Sequence, residues 1–178
     1  MALRNLIPKP AIQARIKSMA REIEQALALG ELDVLILLKG AFLFGSDLVR
    51  NLEKVQSVHF AQPKSYRGDA KTAGQLEWHG PQSLENKAPT ILILDEILDT
   101  GATLARAKKE MQSSGFDRVL TAVLLRKNRS EPPVIEADFV GFEIPDHFVV
   151  GFGLDYGEKF RHLDGIFILE PEEALHDR

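Results

Sequence analysis

Apolar residues fall along this chain in two kinds of pattern. Between residues 10 and 29 they recur at helical spacing. Ile12, Ile16, Met19, Ile23 and Leu27 share one stripe, Pro10 suits a first turn and Gly30 closes the segment, which predicts an amphipathic helix. Elsewhere they come in short runs without polar alternation, at residues 34–38, 90–94 and 119–125. Such runs predict strands buried on both faces of a parallel sheet. A second helix is expected from about Phe42 to Asn51, a strand at residues 55–60, and a third helix from Leu104 to about Ser114, ended by Gly115. Three more apolar segments, 139–144, 148–154 and 165–169, are separated by Pro145-Asp146 and by a polar loop. Strands alternating with helices predict an α/β class with a parallel sheet.

The segment from Lys64 to Gly80 breaks this rhythm. It is polar, contains glycines, and is longer than a simple connection requires, a character often found in lids. No internal repeat and no linker divides the chain. With 178 residues, 44% of them hydrophobic, it builds one sizeable core and reads as a single domain over residues 1–178. Cysteine is absent, so disulfides, thiolate metal sites and cysteine nucleophiles are excluded. The first thirty residues hold no apolar stretch long enough for a signal core or a membrane span, so a cytoplasmic protein without a membrane partner is expected. A formal charge of −4 argues against a general nucleic-acid binder. Within the modest basic cluster RKNR at residues 126–129, Arg129 reads as part of a solvated loop.

Chemistry is concentrated in ILILDEILDTGATL, residues 91–104. A buried strand ends in acids, and a small-residue turn then opens into a helix. Ligands of open α/β sheets bind outside the carboxyl ends of the strands. Gly101 permits close backbone approach, Thr100 and Thr103 offer hydroxyls, and the helix that follows points unpaired N–H groups and its positive dipole end at the turn. The expected ligand is a phosphate. Asp95, Glu96 and Asp99 would repel that anion unless a cation or a polyol stands between, so ribose hydroxyls and Mg²⁺ are their expected partners. Taken singly, other signals are weaker. Lys39-Gly40 alone is an ordinary helix start, Phe148 alone is a core residue, and Asp155 with Arg161 alone is a surface ion pair.

The 91–104 run is similar to the phosphoribosyl pyrophosphate signature of type I phosphoribosyltransferases, D-[ST]-[GS]-x-T preceded by an acidic pair. Three further segments resemble one branch, the hypoxanthine-guanine phosphoribosyltransferases: VLILLKGAFLFGSDL at 34–48, KSYRGDAKTAG at 64–74 and DFVGFEIPDHFVVGFGLDYGEKFRHL at 138–163. The resemblance covers nearly everything from residue 34 onward. It implies the type I phosphoribosyltransferase fold: a central, mostly parallel sheet flanked by helices, a small hood built from the N- and C-terminal segments, and a flexible active-site loop. The implied reaction is purine salvage, in which phosphoribosyl pyrophosphate and hypoxanthine or guanine yield IMP or GMP plus pyrophosphate, with Mg²⁺ as cofactor. Homodimers or homotetramers are implied as well, often assembled near the Lys39 loop.

The resemblance also implies site roles. Thr100, Gly101, Ala102 and Thr103 hold the 5′-phosphate, and Asp95 and Glu96 hold ribose hydroxyls or support the metal. Asp99 also borders the phosphoribosyl group and is the candidate general acid/base for the purine N7 proton. Lys39, Gly40 and Arg161 take the pyrophosphate, the Lys39 loop often through a cis peptide. Ser65 and Tyr66 lead the flexible loop. Phe148 stacks on the purine, Val149 offers backbone groups to it, Lys127 donates to its 6-oxo group, and Asp155 borders the purine and ligates Mg²⁺ mainly through waters. Two positions depart from the pattern: the acidic pair reads Asp95-Glu96 where Glu-Asp or Asp-Asp is commoner, and Ala102 replaces a larger polar residue. The rival readings are a transferase preferring another base such as xanthine, and a nonenzymatic nucleotide-sensing regulator. Retention of Asp99 and Lys127 disfavours the second.

Overall fold

The uninterrupted apolar runs become the centre of one sheet. The computed structural model describes residues 1–27, 30–65, 76–81, 84 and 87–170. In chain order the elements are β1 (Ala2–Ile7), α1 (Lys9–Leu27), β2 (Leu32–Leu37), α2 (Phe42–Val49), β3 (Val55–Ala61), β4 (Lys64–Ser65), β5 (Leu76–Glu77), β6 (Thr90–Leu98), α3 (Ala102–Ser113), β7 (Arg118–Asn128), β8 (Phe139–Pro145), β9 (Val149–Val150) and β10 (Ile166–Glu170). Five strands form the main sheet in the order β3-β2-β6-β7-β8, and every neighbouring pair is parallel.

Burial explains the missing alternation in the sequence. All six residues of β2 are buried, and so are the first six of β6. Odd and even positions serve different cores. Val34, Ile36, Leu92 and Leu94 pack with Ile12, Ile16, Met19 and Ile23 of α1 and with Phe44 and Leu48 of α2. Leu35, Leu37, Ile91 and Ile93 face the other way, onto Leu104, Ala107 and Met111 of α3. A parallel strand with helices on both faces has no side free for polar residues.

This arrangement also determines where a ligand can sit. The chain leaves β2 into α2 on one face and leaves β6 into α3 on the other, so the two connections diverge above neighbouring strand ends. Such a topological switch point opens a crevice at the carboxyl edge of the sheet. The Lys39-Gly40 turn and the 99–103 bend form its two walls.

Several elements differ from the sequence expectation. β6 does not stop at Leu94. Ile97 and Leu98 pair with Leu125 and Arg126 of β7, so the ladder runs on through Asp95 and Glu96. β7 likewise extends to Asn128, which places Lys127 on a strand rather than after one. The segment 148–154 is strand only at Val149–Val150; Gly151, Phe152 and Gly153 then take positive φ angles of 97°, 47° and 101° and fold the chain back. Asp155 therefore leaves a tight turn, not the end of a long strand. An unexpected strand, β1, pairs antiparallel with β10, which pairs in turn with β9 in a small separate sheet. Lys64–Ser65 pairs with Leu76–Glu77 as a short antiparallel ladder. Tyr66 and most of the expected lid lie outside the described residues.

Candidate active site

The 99–103 bend is shaped by one glycine. Gly101 adopts φ 81°, a left-handed conformation, and is the N-cap of α3. An L side chain is disfavoured there, and its β-carbon would lie 3.2 Å from the Ile135 side chain. The cap carries no side-chain hydrogen bond, and the first turn of α3 contains no acidic residue. Thr100 Oγ1 makes only a long contact, 3.4 Å, with the Ala102 N–H. The positive end of the helix is thus left without a neutralising carboxylate of its own. Thr100, Gly101, Ala102 and Thr103 line a cavity of about 250 Å³, with Asp95, Glu96 and Asp99 on the same wall.

The three acids have different surroundings. Asp95 is buried, and its carboxyl is held well above the usual carboxylate range, first by burial and then by the charge of Glu96. A neutral Asp95 can donate as well as accept a hydrogen bond. Glu96 lies directly against the Lys39-Gly40 turn: a β-carbon on Gly40 would stand 2.0 Å from its Oε1. No other residue type fits at Gly40 without displacing that carboxylate. Asp99 does not cap α3. It faces Lys127 Nζ at 3.6 Å and pairs with Arg129. The sequence places Arg129 in a solvated loop; in the structure, directly after β7, it pairs with Asp99.

A second cleft, about 160 Å³, adjoins the first and shares Glu96, Ile97 and Asp99 with it. Lys127, Phe148, Val149 and Asp155 complete it. Val149 is buried within β9, whereas the Phe148 ring is half exposed and meets Tyr156 edge-on, centroids 5.7 Å apart at 88°. An exposed ring braced by another aromatic leaves one face available for stacking. Lys127 also reaches Asp146 at 3.1 Å, and that ammonium holds the Asp146 carboxyl below its ordinary value.

The remaining predicted residues meet at a charged corner. The Leu38–Lys39 peptide is cis. Lys39 Nζ lies 3.1 Å from Glu158, and Arg161 contacts both Glu158, at 3.2 Å, and Asp155, at 2.9 Å. Asp155 accepts the Glu158 N–H at 2.8 Å, while Arg161 donates to the Gly153 carbonyl at 2.8 Å. The Asp155–Arg161 pair anticipated from spacing is present, and it belongs to a network that includes Lys39. Of the predicted residues, Ser65 stands apart, in the β4–β5 ladder. Sequence reasoning missed Arg129, Tyr156 and Glu158. Glu158 left one signal, its position three residues from both Asp155 and Arg161.

Comparison with known proteins agrees with this geometry. The phosphoribosyl transferase domain model matches residues 3–157. A hypoxanthine-guanine phosphoribosyltransferase of Aquifex aeolicus is 36% identical over 169 residues, covering 94% of this chain and 95% of the relative. A hypoxanthine-guanine-xanthine phosphoribosyltransferase of Plasmodium falciparum is 34% identical over 179 residues, covering 94% and 77%. Among solved structures, a hypoxanthine phosphoribosyltransferase of Staphylococcus aureus superposes with a TM-score of 0.84 at 34% identity, covering 96% of this chain and 92% of that one. A hypoxanthine-guanine phosphoribosyltransferase of Bacillus anthracis gives 0.83 at 29% identity, covering 93% and 98%. Shared topology, the bend at the switch point and near full-length similarity make this chain a member of the hypoxanthine-guanine phosphoribosyltransferase family.

Proposed function

We propose that this protein transfers the 5-phosphoribosyl group of phosphoribosyl pyrophosphate to hypoxanthine or guanine, releasing pyrophosphate and forming IMP or GMP. One observation carries the reading: two adjoining clefts share Asp99, one lined by the helix N-terminus and the other by Lys127 and Phe148. A sugar phosphate in the first and a purine in the second would meet at that carboxylate.

Roles follow from the chemistry of each group. Backbone N–H groups and hydroxyls of the 99–103 bend hold the 5′-phosphate. Asp95 and Glu96 orient the ribose hydroxyls. As the purine N9 attacks C1, Asp99 takes or shares the proton at N7, and Lys39 and Arg161 stabilise the charge leaving on the pyrophosphate. The Lys127 ammonium is a donor only, so it accepts a 6-oxo purine and leaves the 6-amino group of adenine unmatched. The Phe148 ring stacks on the base, and Val149 offers backbone groups to its edge.

Mg²⁺ fits this donor set. Asp155 supplies hard oxygens beside the pyrophosphate corner, with Asp95 and Glu96 as further carboxylates. Among the described residues no group of three or more His, Cys, Asp or Glu is arranged to hold a metal by itself. An ion completed by substrate phosphate and water is the usual Mg²⁺ environment, and it would neutralise charge on the leaving group. Asp95, buried at the end of β6, suits a ribose contact, and Asp155, at the pyrophosphate corner, is the principal metal ligand in this reading.

We further infer a cytoplasmic homodimer or homotetramer. No helix among the described residues is long and apolar enough to cross a membrane. Phe42 and Phe60 are 40% and 54% exposed, and Phe42 lies beside the Lys39 turn, which supports burial in a subunit contact there. Sedimentation of the purified protein checks the assembly.

The first experiment is an assay with phosphoribosyl pyrophosphate, Mg²⁺ and each base in turn. Hypoxanthine and guanine should be converted and adenine left unchanged. Conversion of xanthine alone, or of no base, would overturn the proposal.

A further inference from the structure

The carboxylate of Glu158 stands between two cations that the proposed reaction needs free. Its Oε1 accepts from Lys39 Nζ at 3.1 Å and its Oε2 from Arg161 Nη2 at 3.2 Å. Each oxygen therefore takes one of the pyrophosphate cations, the arrangement a bridging phosphate oxyanion would make. The backbone is arranged to deliver it. Glu158 has φ 66°, a conformation that non-glycine residues rarely adopt, and its N–H is fixed by Asp155 Oδ2. The Glu158 side chain remains 64% exposed, so the charge can swing out to solvent without being buried elsewhere.

We infer that Glu158 is an internal counter-anion that holds Lys39 and Arg161 in the ligand-free protein and is displaced when pyrophosphate enters. A further observation supports it. Arg161 is oriented independently of Glu158, by the Gly153 carbonyl and Asp155, so losing Glu158 frees a guanidinium already in place.

The consequence is a tuned affinity. A corner in which Lys39 lacked this carboxylate and Arg161 kept only Asp155 would retain the leaving pyrophosphate, whereas one supplied with Glu158 as well promotes release. Exposed ion pairs are individually weak, so the competition is modest and reversible. Glu158 thus acts through the cations and not on the substrate, and its effect should be confined to ligands that carry the pyrophosphate group.

The inference rests on the assignment of Lys39 and Arg161 to pyrophosphate, and the experiment separates the two. Pyrophosphate binding is measured by calorimetry without Mg²⁺ on the full-length protein and on Glu158→Gln, Glu158→Asp, Lys39→Ala and Arg161→Ala. Glu158→Gln should bind pyrophosphate about fivefold tighter, the scale of one exposed ion pair removed, with Glu158→Asp nearer to the parent protein. The KM for phosphoribosyl pyrophosphate should fall in parallel while the KM for the base stays unchanged. If Lys39→Ala and Arg161→Ala bind pyrophosphate as the parent does, the assignment of the corner is wrong. If those two weaken binding but Glu158→Gln binds equally or more weakly, the corner stands and the counter-anion does not.

Discussion

The two walls of the crevice present positive charge by opposite means. At the 99–103 bend the donors are backbone N–H groups at a helix start, with no acid in the first turn of α3. At the Lys39 corner the donors are side-chain cations, each already paired with a carboxylate of the same chain. Backbone dipoles are fixed by the fold and need no counter-charge to be held in place. Long cationic side chains gain a defined position from partners, which a ligand must then displace. The difference suits the proposed chemistry: the 5′-phosphate stays bound throughout, while pyrophosphate arrives with the donor and must leave.

The contrast breaks most severely at the residue between the walls. Asp99→Asn keeps the shape but cannot take the N7 proton, and turnover should fall by roughly 10²- to 10⁴-fold while mononucleotide affinity changes little. Unaltered turnover in a steady-state assay removes Asp99 from that role. Next in size is Lys127→Ala. Losing a charged donor to a 6-oxo group should lower kcat/KM for hypoxanthine and guanine by about 10- to 100-fold, with the KM for the base raised. A loss confined to kcat, with the KM for both bases unchanged, would show that Lys127 acts only through Asp99.

Gly101→Ala sharpens the comparison itself. A β-carbon at φ 81° beside Ile135 should shift the bend. The expected result is about tenfold weaker binding of IMP, with pyrophosphate binding unchanged because the other wall is untouched. Parallel weakening of both ligands would mean the walls are not independent. The smallest effect concerns Asp95. Its carboxyl is raised in the folded protein by burial and by Glu96, so the folded state binds a proton that the unfolded state releases above 3.8. Stability should therefore fall as pH rises from 3.8 toward the raised native value. Asp95→Asn, which cannot ionise, should flatten that slope in chemical denaturation between pH 4 and pH 7. A slope equal to that of the parent protein would mean that Asp95 ionises normally.

Some elements could be read from residue order because one local pattern was enough. Val34 to Leu37 and Ile91 to Leu94 are apolar at every position, and only a strand covered on both faces uses such a run. The bend was legible because glycine, hydroxyls and a helix start are neighbours in the chain. The end of β6 was not, because two acids look like a strand stop until β7 supplies partners for Ile97 and Leu98. β1 was missed for the same reason: Ala2–Ile7 has a mixed pattern, and it becomes a strand only where β10, more than 150 residues away, offers an edge.

Charge partners were the least legible. Arg129 looks like a solvated loop residue in a row of basic and polar neighbours, yet the fold sets it on Asp99. Glu158 and Lys39 are 119 residues apart and meet only because the loop after β9 folds over the Lys39-Gly40 turn. Local order thus dictated which segments would be buried strands and which turn would present a helix start to an anion, since periodicity and backbone freedom are properties of adjacent residues. The pairing of each cation with its carboxylate was settled only when distant segments converged, because a Coulomb contact depends on distance in space.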